Sequence, residues 1–198
     1  MAVTGSRRIA GAAAAFAALA IVASAGNGGR LADADRVLFG TVRAHRGRAA
    51  TAAARFTSAF GDPVVIYPGL VAGVAARKTD WQRAGLACLV VVTGGQARRW
   101  LSRVIARPRP PADAWLTVPE GYSLPSKHTT MAALAAGAYV HALGVRGAPA
   151  RTAPILAATL AGVGRVYLGV HWPTDVVAGW LFAEGWLRLT RSSQTRKG

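Results

Sequence analysis

An all-α bundle of six transmembrane helices, with an interfacial helix after the first span, is the fold this sequence predicts. Three observations point to it. Apolar residues make up 52% of the 198 residues and charged residues only 16%, so a water-soluble surface would be hard to cover. The apolar residues gather in six segments divided by Gly, Pro and charged residues. The 24 Lys and Arg, against 8 Asp and Glu, collect in short stretches between those segments. A net charge of +16 implies an anionic partner: nucleic acid, an anionic membrane surface or a phosphate substrate. The placement of that charge favours membrane lipids and argues against a nucleic-acid binder. A soluble helical bundle is the competing fold.

The first segment, Ile9 to Ala25, follows Arg7 and Arg8 and reads as an uncleaved span. The alternative is a signal peptide cut at Ala23-Ser24-Ala25. Asn27 to Gly29 breaks the chain. Leu31 to Phe60, with Leu31, Ala34, Leu38, Val42, Phe56 and Phe60 among arginines, reads as an amphipathic helix lying at the interface. Val64 to Ala76 is the second segment, extended backwards through Ala59. Arg77, Lys78, Asp80 and Arg83 form a polar turn. Ala84 to Ala97 is the third segment and continues as helix to Ile105. Ala106 to Pro125 carries five prolines and reads as loop. Thr129 to Val145 is the fourth segment, and Arg146 to Arg151 a turn. Ala153 to Val163 and Val176 to Leu189 form the cores of the fifth and sixth. Residues 1–190 make one membrane domain, and 191–198 a basic cytoplasmic tail. Several segments are short for a span but rich in Ala and Gly, which allow close helix packing in lipid.

Chemistry-bearing residues concentrate in Gly164 to Asp175, GRVYLGVHWPTD. Pro173 and Asp175 suit the first turn of a helix, where a missing N–H is harmless and a carboxylate meets the positive dipole end. His171 then lies just before that helix, with Asp175 close enough to hold a ring nitrogen. A second basic stretch runs from Arg99 to His128. Two spans separate the stretches, so both open on the same side of the bilayer. This parity gathers Arg107, Arg109, Ser126, Lys127, His128, Arg165, His171 and Asp175 on one face. Arginine forks match phosphate oxygens. Two histidines beside a phosphate can divide the work, one attacking phosphorus and the other protonating the leaving oxygen. With the N-terminus inside, 11 of the Lys and Arg fall inside and 13 outside, so the positive-inside rule does not decide orientation. The short turns and tail being basic favours N-in and an extracytoplasmic site.

RPRP at 107–110, PSKH at 125–128 and R-x5-H-x3-D at 165–175 resemble the three motifs of the type 2 phosphatidic acid phosphatase (PAP2) family of membrane lipid phosphatases. The resemblance implies a phosphatase acting on phosphatidic acid, phosphatidylglycerol phosphate, or a polyprenyl phosphate or diphosphate. It implies His171 as nucleophile, forming a phosphohistidine, and Asp175 as the carboxylate orienting it. It implies His128 as the acid that protonates the alkoxide and later helps activate water. Arg109, Arg165 and Ser126 match phosphate-binding positions, with Lys127 and Arg107 beside them. No metal or other cofactor is implied. A non-hydrolytic lipid-phosphate binder or transporter, or a lipid phosphotransferase, is the alternative on the same fold.

The motifs depart from the family's in three places. Ser102 stands where a lysine opens the first motif, Lys127 where the second has glycine, and Gly164 where the third often has serine. Lys127 is therefore expected to supply the cation missing at 102, with Arg99 and Arg103 as rivals. Other residues take plainer readings: Cys88 as a buried small residue, His45 as a solvated loop residue, His141 as a packed or interfacial histidine, and Glu184 in a helix–helix or internal contact.

Overall fold

The computed structural model describes residues 2–76 and 81–190, with side chains from residue 5 onward. These residues form eight α-helices and one 3-10 turn, with no strand among them: α1 (Ala2–Ala25), α2 (Gly29–Ala44), α3 (Arg48–Ala59), α4 (Pro63–Ala76), α5 (Trp81–Ile105), the 3-10 turn Ala112–Ala114, α6 (Lys127–Ala142), α7 (Ala148–Tyr167) and α8 (Pro173–Thr190). The six apolar segments coincide with α1 and α4 to α8. Among the described residues, Gly5–Ala25 is the one helix that is by itself long and apolar enough to cross a bilayer. The polar turn expected at 77–83 and the tail at 191–198 lie mostly or wholly outside the described residues.

Helix α6 is the centre of the bundle and packs on α4, α5, α7 and α8. Its buried face carries Met131, Ala133, Leu134 and Ala138, which meet Val91 of α5, Ala158 of α7, and Ala183 and Leu187 of α8. Small residues let the helices approach: a side-chain carbon on Gly162 of α7 would overlap Val176 of α8, and one on Gly137 of α6 would overlap Leu187. Helix α1 lies along α8, with Ala12, Ala15 and Leu19 facing inward at helical spacing. Phe16 meets Phe182 edge-on at 6.0 Å.

Three expected boundaries shift. The single interfacial helix over Leu31–Phe60 is two helices, broken at 45–47. The break is fixed from far along the chain: Arg46 donates to the carbonyl of Ala114 at 2.8 Å, and the Gly47 N–H donates to the Tyr167 hydroxyl at 2.7 Å. The second segment does not reach back through Ala59, which ends α3. A turn over 60–62 bends the chain by 57° into α4, and the Asp62 carboxylate accepts the Val64 N–H at 3.0 Å. Pro63 takes the first helical position. The turn expected at Arg146–Arg151 is shorter, because α7 starts at Ala148 with Pro149 in its first turn. Helix α6 stops at Ala142 through Gly144, at φ +67, and the Val145 N–H closes on Val140 O at 2.9 Å.

Glu184, within the last segment, accepts from Arg188 one turn on at 2.5 Å, the internal partner expected for an acid in that setting.

Candidate active site

The site forms where the loop 106–126, the start of α6 and the α7–α8 junction meet at one end of the bundle. Main-chain bonds stitch these pieces together: Leu116 N–H to Leu168 O at 2.9 Å, and Ser126 N–H to Asp175 O at 3.0 Å. Trp172 adds its indole N–H to Pro108 O at 3.1 Å. Helix α7 ends at Tyr167, and Gly169 turns the chain at φ +83 against the carbonyl of Ala114. No side-chain carbon fits there, and the left-handed backbone suits glycine.

The α8 start is a reciprocal cap. The Asp175 N–H donates to Trp172 O at 3.0 Å, and the Trp172 N–H donates to Asp175 Oδ2 at 2.8 Å. This fixes the carboxylate before any catalytic contact is counted. His171 Nδ1 faces the same Oδ2 at 3.3 Å, and the Ser123 hydroxyl also donates to it. Arg107 donates to Oδ1 at 2.6 Å. With Nδ1 turned to the carboxylate, Nε2 is left toward the cavity, where Arg109 Nη1 lies 3.2 Å away. Burial pushes the His171 imidazole down to about 4, against the pull of Asp175, with the Arg109 and Arg165 charges lowering it further.

The cavity, about 170 Å³, is lined by His171, His128, Arg109, Arg165 and Lys127, with Asp62 and Glu120 at its side. Arg109 is fixed by four carbonyls: Gly121 at 2.9 Å, Glu120 at 2.8 Å, Tyr122 at 2.9 Å and Val170 at 2.5 Å. Burial lowers its guanidinium from the ordinary value, yet an arginine remains a cation at neutral pH. Arg165 reaches the Ser58 hydroxyl at 3.4 Å, and its Nε is buried without a hydrogen-bond partner among the described residues. The same holds for His128 Nδ1. Buried polar atoms left unpaired are costly, and an anion with several oxygens would satisfy the Arg165 donor. Lys127 and His128 open α6, whose first N–H groups have no carbonyl within the helix and whose dipole favours an anion.

Six of the eight expected residues thus converge: His171, His128, Arg109, Arg165 and Lys127 around the cavity, with Asp175 behind His171. Two do not line it. Ser126 is fully buried, and its hydroxyl accepts from Thr129 at 3.0 Å. Arg107 is turned inward between two carboxylates, Asp35 at 2.7 Å and Asp175 at 2.6 Å. Lys127 lies in ordinary helical backbone, so the glycine it replaces is not needed for conformation. Its Nζ is 3.7 Å from Glu120. The rivals Arg99 and Arg103 are exposed and do not line the cavity.

Sequence reasoning missed Asp35, Ser123, Asp62 and Arg98. Arg98, buried in α5, donates from Nε to Pro125 O at 2.7 Å and so holds the chain entering α6. Asp35 was visible as a carboxylate on the inward stripe Ala32–Asp35–Phe39 of α2.

The comparisons with known proteins bear on the family and the fold. The sequence profile of the PAP2 superfamily matches residues 83–198. A decaprenylphosphoryl-5-phosphoribose phosphatase of Mycolicibacterium smegmatis is 33% identical over 133 residues, 64% of this chain and 69% of that one. An undecaprenyl-diphosphatase of Sulfolobus acidocaldarius is 63% identical over 27 residues, which span 14% of this chain and 13% of that protein. The crystal structure of a transmembrane PAP2-type phosphatidylglycerolphosphate phosphatase from Bacillus subtilis superposes with a TM-score of 0.78 at 25% identity, covering 90% of this chain and 93% of that one. The protein is a member of the PAP2 superfamily.

Proposed function

We propose that this protein is a multi-pass membrane phosphatase that hydrolyses a lipid phosphate through a phosphohistidine on His171. Residues 1–190 form one membrane domain spanning the bilayer six times, through α1 and α4 to α8. Outward-facing Ile9, Val64, Leu86, Leu156, Leu160 and Val177 supply an apolar surface for lipid. Helices α2 and α3, with Val37, Leu38 and Phe56 exposed among arginines, lie at the headgroup level. The cavity faces the extracytoplasmic side.

One observation carries the chemical reading. His171 holds Asp175 with one nitrogen and presents the other to a cavity walled by Arg109, Arg165 and His128. The Nε2 lone pair attacks phosphorus, and the bond to the lipid oxygen breaks. His128 gives that oxygen a proton. Arg109 and Arg165 hold the equatorial oxygens as charge develops on them. Free of substrate, His128 sits among cations. The bound phosphate supplies the negative charge that favours a proton on its ring, so the acid is set by binding. Water activated by His128 then splits the N–P bond, releasing phosphate and restoring His171.

The substrate belongs to the phosphatidic acid, phosphatidylglycerol phosphate, or polyprenyl phosphate and diphosphate class. Two of the three relatives named above carry polyprenyl substrates in their names, which favours the last, and the third carries phosphatidylglycerolphosphate. The arginines meet the phosphate charge, and we propose that no metal is required. The test is inorganic phosphate release by the purified protein across a panel of these lipids, with and without chelator. Activity on at least one lipid, retained in chelator and lost by at least about 10³-fold in His171→Ala, is expected. His128→Ala is expected to lose less on an aryl phosphate than on an alkyl one, because a phenolate leaves without a proton. No release from any lipid would overturn the reading.

A further inference from the structure

Asp35 belongs to α2, remote in sequence from every motif, yet it is 1% exposed. A carboxylate buried to that degree is expected to be paired, and each of its partners leads to the active site. Its Oδ1 accepts the Thr174 backbone N–H at 2.9 Å, and its Oδ2 accepts the Thr174 hydroxyl. Thr174 stands between Pro173 and Asp175 in the first turn of α8, so Asp35 sits at the positive end of that helix. Its Oδ2 also takes Arg107 Nη2 at 2.7 Å. Arg107 then donates from Nη1 to Asp175 Oδ1 at 2.6 Å and to the Thr174 hydroxyl at 2.8 Å, and from Nη2 to Gly26 O at 2.6 Å.

The charges explain why the pair Arg107–Asp175 does not suffice. A buried guanidinium on one buried carboxylate makes a neutral unit. The His171 ring would then gain little from Asp175 as positive charge develops on it during attack. With Asp35 on the other side, Arg107 is shared between two carboxylates, and the trio keeps one net negative charge beside His171. Arg109, Arg165 and an uncharged His128 face His171 from the cavity, with Asp62 and Glu120 at its side, so the trio is the negative charge held directly against the imidazole.

We propose that Asp35 is a positioning residue for the His171–Asp175 pair, clamping the first turn of α8 and offsetting Arg107 so that Asp175 keeps its charge for the imidazole. The kinetic part of this proposal rests on the phosphatase reading above. Asp35 does not line the cavity, so it acts on turnover and leaves phosphate binding alone.

The experiment compares Asp35→Asn with the wild-type protein. The amide oxygen can still accept the Thr174 N–H, so the cap survives and the charge is removed. The expected result is a fall in kcat of about 10- to 100-fold, with KM within about twofold, as for losses of outer groups that orient a catalytic ligand. The His171 midpoint, followed by histidine NMR, moves down. Asp35→Glu restores the charge and recovers part of kcat. Wild-type kcat in Asp35→Asn would overturn the proposal. So would a loss of kcat that only tracks the loss of folded protein while the His171 midpoint stays put. If Asp35→Asn does not fold, Asp35→Ala, which removes the same charge, carries the same comparison. If the wild-type protein releases no phosphate from any lipid, the phosphatase reading fails. The midpoint then decides about Asp35 alone: a downward shift supports the proposal, and none overturns it.

Discussion

His171 lies in the loop between α7 and α8, and its low midpoint has two consequences. The folded chain binds the proton at about 4, whereas an unperturbed histidine binds it at 6.5. As pH falls through that interval, the unfolded chain takes up a proton that the folded chain refuses, so acid draws the equilibrium toward unfolding. Above 6.5 the group has no effect on stability. For catalysis, the depression keeps Nε2 unprotonated throughout the neutral range. NMR titration of the detergent-solubilised protein is expected to give a His171 midpoint near 4. Asp175→Asn removes the partner that raises it and moves the midpoint lower still. A wild-type midpoint near 6.5 would contradict the buried placement. Lys127 gives a second prediction at this scale. It lines the cavity whereas Arg99 and Arg103 do not, so Lys127→Ala is expected to lower kcat/KM by about tenfold, the order expected for one charged hydrogen bond. Arg99→Ala and Arg103→Ala are expected to leave kcat/KM within about twofold. The opposite pattern in steady-state kinetics would return the missing cation to α5.

Among the helices, what sequence revealed and what it hid divide along one line. The start of α8 was legible because its rules are local: proline at the first position, and a carboxylate two residues on that caps its own helix. The end of α5 at Ile105 was legible for the same reason, since prolines follow from 108, whereas its start at Trp81 takes in Arg83, which was expected in the turn. The break between α2 and α3 was hidden, because Ala114 and Tyr167, which hold it, lie 68 and 120 residues away. The two arginines of RPRP were also indistinguishable locally. Carbonyls at 120–122 and 170 draw Arg109 to the cavity wall, while Asp35 and Asp175 draw Arg107 inward. Ser126 was expected to hold phosphate from its motif position, but its placement as the α6 cap buries it. The packing of α7 offers the test at this scale. Gly162 lies against Val176 and is 2.9 Å from Thr129 Oγ1, measured from the position a side-chain carbon would take. Gly162→Ala forces α7 away from α6 and α8 at a cost of about 1–3 kcal/mol. Thermal denaturation in detergent is expected to show a lower midpoint, and an unchanged midpoint would mean that α7 has room to shift.

At the scale of the whole molecule, the site exists because α6 and α7 lie between its two loops. Under the six-span proposal α6 and α7 both cross, and an even number of spans returns the chain to the side it left, so the loop before α6 and the loop after α7 share a face whichever face that is. Charge leaves the face open, with 11 of the 24 Lys and Arg on one side of the N-in arrangement and 13 on the other. Arginines drawn into the site by carbonyls, carboxylates and substrate phosphate are poor reporters of orientation. They do not count as free loop charges, so the bare rule does not decide the face. Labelling settles what charge does not. Cys88 is the one cysteine, so Cys88→Ala gives a background with no native thiol. Val118, 89% exposed in the loop before α6, and Arg146, exposed between α6 and α7, lie on opposite faces under the six-span reading. In intact cells an impermeant maleimide is expected to label Val118→Cys and to reach Arg146→Cys only after permeabilisation. The reverse pattern would keep the bundle and place its site in the cytoplasm. Labelling of both positions in intact cells would mean that α6 does not cross the bilayer, and the parity that joins His128 to His171 would have to be replaced by a re-entrant path.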